Sequence, residues 1–311
     1  MNSQIKKINL NHSFIFFLFC NVFSVVVFKF TNLNISTLFC FLLILTIGVS
    51  HGALDHLKGK KLLTILNIKK FYIFYLIYIL LALSVILVWT IVPAITLIVF
   101  LAVASFHFGK EDTQFLINKN SNLISILYFF RGLLIIITPL YFNFDETVTI
   151  FKMLLIDSEQ FYSSLGFIEK YKIIEIAIGL SALSSIILFL REFNIKKFAI
   201  FLDFFSIIIL NYYLSPLVAF TIYFCFLHSI RHTISLAIEM DNSNLKNGLK
   251  LFAQKAFPLT VLTAIFFVLG LYFLYNVYEL NSAILKIIFI GLASLTFPHI
   301  LLEYFLEKNE K

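Results

Sequence analysis

Residues 71–109 read FYIFYLIYILLALSVILVWTIVPAITLIVFLAVASFHFG, and the whole stretch contains no Asp, Glu, Lys or Arg. A helix needs about 20 consecutive apolar residues to cross the hydrocarbon core of a bilayer, and this stretch holds two such runs. Pro93 stands at the start of the second run, where a proline costs a helix little. The stretch therefore predicts two membrane-spanning helices, 71–91 and 93–109, joined as a tight hairpin.

Apolar runs of similar length recur along the rest of the chain. Hydrophobic residues make up 60% of the sequence and charged residues only 13%, whereas about a quarter of the residues in soluble proteins are charged. So few charges cannot cover a chain of 311 residues in water, and the excess apolar surface must face lipid. We predict an all-α, polytopic membrane helical bundle that forms a single integral-membrane domain over 1–311. The ten expected segments are 13–30, 35–57, 71–91, 93–109, 122–142, 172–190, 198–214, 215–238, 256–278 and 282–304.

The positive charges are distributed unevenly between the two sides of this predicted bundle. A net charge of +7 would suggest nucleic-acid binding in a soluble protein, but here the Lys and Arg residues lie in short loops, and we expect no nucleic-acid partner. With ten spans, most of the 24 Lys and Arg residues lie on the side of the termini, whereas Lys29, Lys152, Lys170 and Lys172 lie on the other side. Because cytoplasmic loops carry the excess of Lys and Arg, both termini are predicted to be cytoplasmic.

Histidines recur at one depth of the predicted bundle. His51, His107, His228, His232 and His299 all lie late in even-numbered segments, which run in the same direction across the membrane. Ionisable groups inside a bilayer are costly and usually face the interior of the bundle. Because neutral imidazole is the commonest metal ligand, this common depth predicts a metal site, although any one of these histidines could serve a structural hydrogen bond instead. His12 is expected at the membrane interface.

Local spacing supports a metal site. His228 and His232 stand at i and i+4, which puts both imidazoles on one helical face. A carboxylate has the same spacing from each of three other histidines, in the pairs His51–Asp55, His107–Glu111 (with Asp112 adjacent) and His299–Glu303. Such a carboxylate can orient a ligating imidazole or bind the metal itself. Glu111, Asp112 and Glu303 could also be solvated at the interface. Nitrogen and oxygen donors suit Fe, Cu or Zn.

Four motifs carry a family resemblance that extends from the second to the last segment. They are GVSHGALDH (48–56), SFHFGKED (105–112), LHSIRH (227–232) and FPH (297–299). Their order and spacing resemble the Brp/Blh family of bacterial and archaeal membrane β-carotene 15,15′-dioxygenases. The resemblance implies an oxidoreductase that cleaves the central double bond of β-carotene with O2 and gives two molecules of all-trans-retinal. It also implies a multi-pass protein of the bacterial inner membrane, whose retinal is passed to a microbial rhodopsin.

The resemblance further implies a non-haem Fe2+ bound by His51, His107, His228 and His232, each of which stands in a matching motif. His299 remains a possible additional ligand or a residue of the substrate site. Four carboxylates remain possible hydrogen-bond partners of these imidazoles or additional ligands, namely Asp55, Glu111, Asp112 and Glu303. A rigid C40 substrate would need a long apolar tunnel that passes the metal at its midpoint.

Two other functions stay open on the sequence alone. One is a di-iron lipid desaturase or hydroxylase, since the histidines and carboxylates could hold two metals, but the closely packed HxxHH clusters of those enzymes do not occur here. The other is a non-catalytic carotenoid or retinal carrier, which would need no set of imidazoles at one depth. The metal content of the purified protein separates the three functions, since the dioxygenase would hold one iron, the di-iron enzyme two and the carrier none.

Overall fold

The computed structural model describes residues 3–29, 35–117, 121–191 and 194–309, with the backbone alone at Ser3, Gln4, Phe28, Lys29 and His51. Every regular element in these ranges is helical, which confirms the predicted all-α class. The helices are α1 (Ser3–Lys29), α2 (Thr37–Leu43), α3 (Asp55–Ile65), α4 (Tyr72–Ile91), α5 (Pro93–Glu111), α6 (Asn122–Phe142), α7 (Phe144–Met153), α8 (Glu159–Lys170), α9 (Ile173–Leu190), α10 (Ala199–Tyr213), α11 (Pro216–Ile222), α12 (Ile230–Met240), α13 (Leu245–Tyr275) and α14 (Leu280–Asn309).

Two π-helical segments interrupt the predicted second and eighth spans. The first π segment is Ile44–Gly48, and a short 3-10 turn, Val49–Leu54, joins it to α3. The second π segment is Tyr223–Ser229, between α11 and α12. Within the described residues, nine helical stretches are long and apolar enough to cross a membrane, which confirms a polytopic bundle.

The predicted seventh span is shorter than the others. It corresponds to α10, which has 15 residues and is therefore about 22 Å long, less than a typical hydrocarbon core. Its two ends nevertheless bond to the ends of two neighbouring helices. At its start, Lys197 donates hydrogen bonds to the carbonyls of Leu188 and Arg191 at the end of α9. At its end, Asn143, which follows α6, donates to the carbonyl of Asn211 at 2.8 Å. Nine of the predicted segments are thus found as spans among the described residues, and a span at the seventh stays a prediction.

The outer surface of the bundle is apolar, as a lipid-facing surface must be. Helix α4 shows this most clearly, since Leu76, Leu80, Leu83 and Leu87 are all exposed on it. The same helix buries Trp89, whose indole Nε1 donates a hydrogen bond to the carbonyl of Leu154 at 3.0 Å. Exposed leucines on a chain with this composition indicate contact with lipid tails, not with water.

Helices α5 and α6 approach each other so closely that only glycine fits between their backbones. A Cβ on Gly109 would lie 1.8 Å from the carbonyl oxygen of Tyr128, and one on Gly132 would lie 1.8 Å from that of Ser105. Small residues permit this kind of contact between membrane helices. The contact fixes the end of α5, which carries the second histidine motif.

The two π segments pack against each other at the centre of the bundle. Ser229 Oγ donates a hydrogen bond to the carbonyl of Gly48 at 3.3 Å, and a Cβ on Gly48 would lie 2.7 Å from the ring of Phe224. The carbonyl of Phe226 in the second π segment accepts a hydrogen bond from His12 Nε2 of α1 at 2.9 Å. His12 is thus half-buried against the bundle, and its place at the membrane interface stays a prediction. Short π segments inside helices are frequently found at functional sites.

The connection between α6 and α9 holds two short helices. The first, α7, packs into the bundle and buries Ile150 and Phe151. Partial burial raises the pKa of the Glu146 carboxyl on the same helix. The second helix, α8, is preceded by Ser158, whose hydroxyl accepts a hydrogen bond from the backbone N–H of Phe161. The connection is therefore partly core and partly surface.

Candidate metal centre

Four buried histidines converge between the C-terminal halves of three helical runs. His107 lies on α5, His228 and His232 lie on the run formed by the second π segment and α12, and His299 lies on α14. The ring centroids of His107 and His228 are 5.4 Å apart, those of His107 and His299 are 5.3 Å apart, and those of His232 and His299 are 5.8 Å apart. The structure thus brings together these four histidines from the predicted set.

The side chain of His51 lies outside the described residues. Its backbone belongs to the 3-10 turn that follows the first π segment. This turn packs against the run that carries His228.

A carboxylate from another helix accepts a hydrogen bond from Nδ1 of three of the imidazoles. His228 Nδ1 donates to Asp112 at 3.2 Å and His232 Nδ1 donates to Glu111 at 3.2 Å. His299 Nδ1 lies 2.8 and 2.9 Å from the two oxygens of Asp55. Such pairing fixes the tautomer, so that Nε2 is the nitrogen whose lone pair can bind a metal.

These pairs correct the partners expected from spacing within single helices. Asp55 contacts His299 of α14, and Glu111 contacts His232 of α12 instead of His107, which stands one turn before it. The pair within α14 is present as a longer contact, with His299 Nε2 3.6 Å from Glu303 Oε1. The carboxylates therefore connect helices to one another and orient imidazoles across the bundle.

None of the three carboxylates near the predicted interface is solvated. The side chains of Glu111, Asp112 and Glu303 expose only 12%, 5% and 14% of their surface. Glu303 accepts a hydrogen bond from Lys58 at 2.7 Å, and its other oxygen lies 3.9 Å from His107 Nδ1. The lysine compensates the charge of this carboxylate among the histidines, and the alternative of simple solvation is wrong for all three.

Other buried polar residues support the cluster, and the sequence alone did not point to them. Tyr78 donates to Asp55 at 2.8 Å, and Tyr223 donates to Asp112 at 2.6 Å. Arg231, which stands between His228 and His232 in sequence, donates to both oxygens of Asp203 on α10 and to the carbonyl of Asp112. A charged residue inside an apolar segment must find a partner, so Arg231 and Asp203 could have been expected to pair.

The donor set fits a transition metal. One group of possible ligands consists of His107, His299 and Glu303, and a second consists of Glu111, His232 and Glu303, with the ligand atoms of each group within 4.8 Å of one another. Nitrogen and oxygen donors of this kind suit iron in its common non-haem sites. The three cysteines are buried elsewhere in the bundle and contribute no ligand to either group.

A largely apolar cavity of about 550 Å³ reaches the cluster. His107, His228 and His299 form part of its wall. The remainder comes mainly from α4, α13 and α14, and includes Ile79, Leu83, Ile86, Leu262, Phe266, Phe267, Ile287 and Leu295. Gly52 also lines it, and a Cβ on this glycine would meet no atom of the described residues within 4 Å beyond its own chain neighbours. A long apolar molecule can therefore contact the imidazoles without crossing water.

The fold and the cluster define an integral-membrane protein with a buried histidine–carboxylate centre beside an apolar cavity. The sequence model of the beta-carotene 15,15′-dioxygenase family matches residues 42–307, so the chain belongs to that family and is a carotene-cleaving oxidoreductase. It is similar to a beta-carotene 15,15′-dioxygenase of the uncultured marine bacterium 66A03, with 28% identity over 270 residues, which cover 84% of this chain and 90% of that protein. No solved structure matches the chain.

Proposed function

We propose that the chain cleaves the central 15,15′ double bond of β-carotene with O2 at one non-haem Fe2+ and releases two molecules of all-trans-retinal. One observation carries this proposal, namely four buried imidazoles at the meeting point of three helical runs, three of them in the wall of the apolar cavity. The family match supports carotene as the substrate. The donor set supports iron as the cofactor.

The proposed iron ligands are His51, His107, His228 and His232. The ring of His107 lies 5.4 Å from that of His228, and the ring of His232 lies 5.8 Å from that of His299, which supports a place for these histidines around one centre. His51 rests on its motif alone. His299 joins them as a further candidate, because Asp55 orients its ring as Asp112 orients that of His228. Removal of any true ligand should lower iron content as well as activity.

When bound, iron would supply the activation of O2 that a polyene alone does not provide. The protein's own groups do the remaining work. Asp112, Glu111 and Asp55 hold three imidazoles in one tautomer, and Lys58 compensates the charge of Glu303. The apolar walls of the cavity exclude water, which protects the cleavage from side reactions.

Substrate binding in such a cavity depends mainly on apolar burial, at about 25 cal/mol per Å². Burial of this kind has little directional preference, so it does not select one double bond among the many of a polyene. We propose that the closed ends of the substrate path set the position of the central bond at the iron. Cleavage at one bond then follows from the length of the path on either side of the metal.

A di-iron centre is the second candidate, because the two possible ligand groups share Glu303. The contact between Glu111 and His232 passes through Nδ1 and orients the ring, which favours one metal over two. A carrier without metal would have no use for imidazoles oriented in this way. Iron content of the purified protein distinguishes the three candidates, at one equivalent, two or none.

The direct test is expression in a bacterium that accumulates β-carotene. Orange cells should turn pale and contain retinal, whereas cells that express a His228→Ala variant should stay orange. Pale cells without retinal would contradict central cleavage. We further propose that the protein resides in the bacterial inner membrane and that its retinal passes to a microbial rhodopsin, which co-expression with an opsin would test by the appearance of pigment.

A further inference from the structure

A second, smaller apolar cavity lies beside the first. Its volume is about 90 Å³, against about 550 Å³ for the cavity that contacts the histidines. Its lining combines buried side chains such as Ala104 and Ile135 with half-buried ones such as Phe100 and Ile136. It therefore extends from the core of the bundle toward the lipid-facing surface.

The lining offers almost nothing to a water molecule. Among the described residues that form it, none is charged, and Thr147 and Thr296 are the only ones with a side-chain hydroxyl. The hydroxyl of Thr147 already donates hydrogen bonds to the protein itself, since its Oγ1 lies 2.8 Å from the carbonyl oxygen of Asn143 and 3.0 Å from that of Pro139. Apolar cavities of this order of size stay dry and bind small apolar molecules such as xenon.

One layer of side chains separates this cavity from the histidine cluster. Phe108, Phe224, Leu292 and Thr296 line both cavities. The ring of Phe108 lies edge-on to His228, with centroids 4.8 Å apart, and the ring of Phe224 stacks on His228 at 5.9 Å. A diatomic molecule in the small cavity would need only a small movement of one phenyl ring to reach the cluster.

We infer that the smaller cavity is a binding site for dioxygen, which it takes up from the bilayer and supplies to the iron centre. The inference rests on the proposed function, because that reaction consumes O2. O2 is small and apolar, as the cavity is. A carotenoid in the larger cavity would cover the imidazoles in its wall and block that route, so a second route is needed once substrate is bound. At its observed volume, the smaller cavity is too small to hold the twenty-carbon half of the carotenoid.

Trp89 makes this cavity open to direct measurement. It is the only tryptophan of the chain and is fully buried, and its ring centroid lies 6.2 Å from that of Phe100, which lines the cavity. Collisional quenching of Trp89 fluorescence by O2 therefore reports on the supply of O2 to this region. The measurement uses metal-free protein without carotene, in lipid vesicles.

Two variants fill the cavity from different helices, and one matched variant does not. Ala104→Leu on α5 and Ile135→Phe on α6 enlarge buried residues of the lining, so that misfolding of one still leaves the other. Ala102→Leu makes the same change two residues away from Ala104, on the exposed face of α5. We expect the O2 quenching constant of Trp89 to fall several-fold in both filling variants and to stay unchanged in Ala102→Leu.

The loaded enzyme gives the second measurement. Both filling variants should raise the KM for O2 several-fold, with the KM for β-carotene and the C20 products unchanged. Equal quenching in all three variants and wild type would overturn the O2 site, whether or not the enzyme makes retinal. Reduced quenching with an unchanged KM for O2 would overturn the supply role. A change in product length or carotene KM would show that the cavity holds part of the carotenoid instead. Absence of retinal from wild-type protein would contradict the proposed function separately.

Discussion

Asp112 offers the sharpest test of how the carboxylates support the histidine cluster. One of its oxygens accepts a hydrogen bond from His228 Nδ1 at 3.2 Å, and the other accepts one from Tyr223 at 2.6 Å. The Asp112→Asn substitution keeps the size of the side chain but removes its charge. The amide oxygen can still accept from His228, while the amide nitrogen can donate to the phenol oxygen of Tyr223. Both hydrogen bonds of residue 112 can thus form in the variant, but the bond from His228 Nδ1 then has a neutral acceptor and is weaker.

The magnitude follows from the type of hydrogen bond. A bond to a charged acceptor contributes about 1.5–3 kcal/mol and a neutral one about 0.5–1.5 kcal/mol, so His228 loses about 1–2 kcal/mol of support. At 1.4 kcal/mol for each factor of ten, this corresponds to roughly 5- to 30-fold weaker iron binding. Measured effects of replacing such outer partners of metal-ligating histidines span about 10- to 100-fold. Retinal formation at limiting iron should fall by the same factor.

Tyr223→Phe provides the matched control. It removes the other hydrogen bond of Asp112 but leaves the bond to His228 in place. We expect it to lower the stability of the metal-free protein by about 1–3 kcal/mol, the cost of a buried acceptor without its donor, with little change in iron affinity. The two measurements are iron affinity by competition with a chelator at fixed pH, and thermal unfolding of the metal-free protein in detergent.

The two variants must differ for the explanation to stand. If Asp112→Asn bound iron as tightly as wild type, the carboxylate would have no role in orienting His228. If Tyr223→Phe lost iron affinity by the same factor as Asp112→Asn, general destabilisation would account for both results, and the specific role of the charged acceptor would be refuted.

Four further predictions test the remaining assignments. Alanine at His51, His107, His228 or His232 should each abolish retinal formation and lower iron content, and normal activity in any of these variants would remove that residue from the ligand set. The control His12→Ala should keep the iron. It should lower the free energy of unfolding by about 1 kcal/mol, because the hydrogen bond to the Phe226 carbonyl is lost. Asp55→Asn should keep much of the iron and reduce the rate about 10- to 100-fold, as measured by retinal formed per bound iron. Reporter fusions near residues 65, 115, 194 and 246 should read cytoplasmic and those near 155 and 280 external, and an external signal at 65 would contradict the topology. Shortened apocarotenoids should be cut at a fixed distance from the intact ring. A mixture of product chain lengths would show that the ends of the substrate path do not set which double bond lies at the iron.

The fold could be predicted because lipid imposes a simple rule on sequence. A helix that crosses the hydrocarbon core needs a long apolar run, and runs such as 71–91 show it without ambiguity. The helix α10 is the informative exception. Its ends bond to the ends of α9 and α6, so neighbouring helices specify a path that its 15 residues alone would not.

The π segments could not be predicted, because nothing in their composition distinguishes them from ordinary apolar helix. Ile44–Gly48 and Tyr223–Ser229 are stabilised by groups that are distant in sequence. Ser229 donates to the carbonyl of Gly48, and His12 donates to that of Phe226 from 214 residues away. A wider helical turn leaves carbonyls to be satisfied from outside the helix, and only the packed bundle shows which side chains supply those donors.

The same distinction explains why the histidines were predicted and their partners were not. Helix direction alone brought His107, His228, His232 and His299 to one depth, because each stands late in a segment of the same orientation. The choice of carboxylate depends on which helices touch. Adjacent residues of a helix point about 100° apart, since the helix has 3.6 residues per turn, so Glu111 and Asp112 at the end of α5 can each reach a different imidazole of the facing run. Spacing within one helix shows which groups share a face, but a carboxylate buried in a membrane protein is stabilised by the strongest donor across the interface. Partners for such carboxylates should therefore be sought first on neighbouring helices.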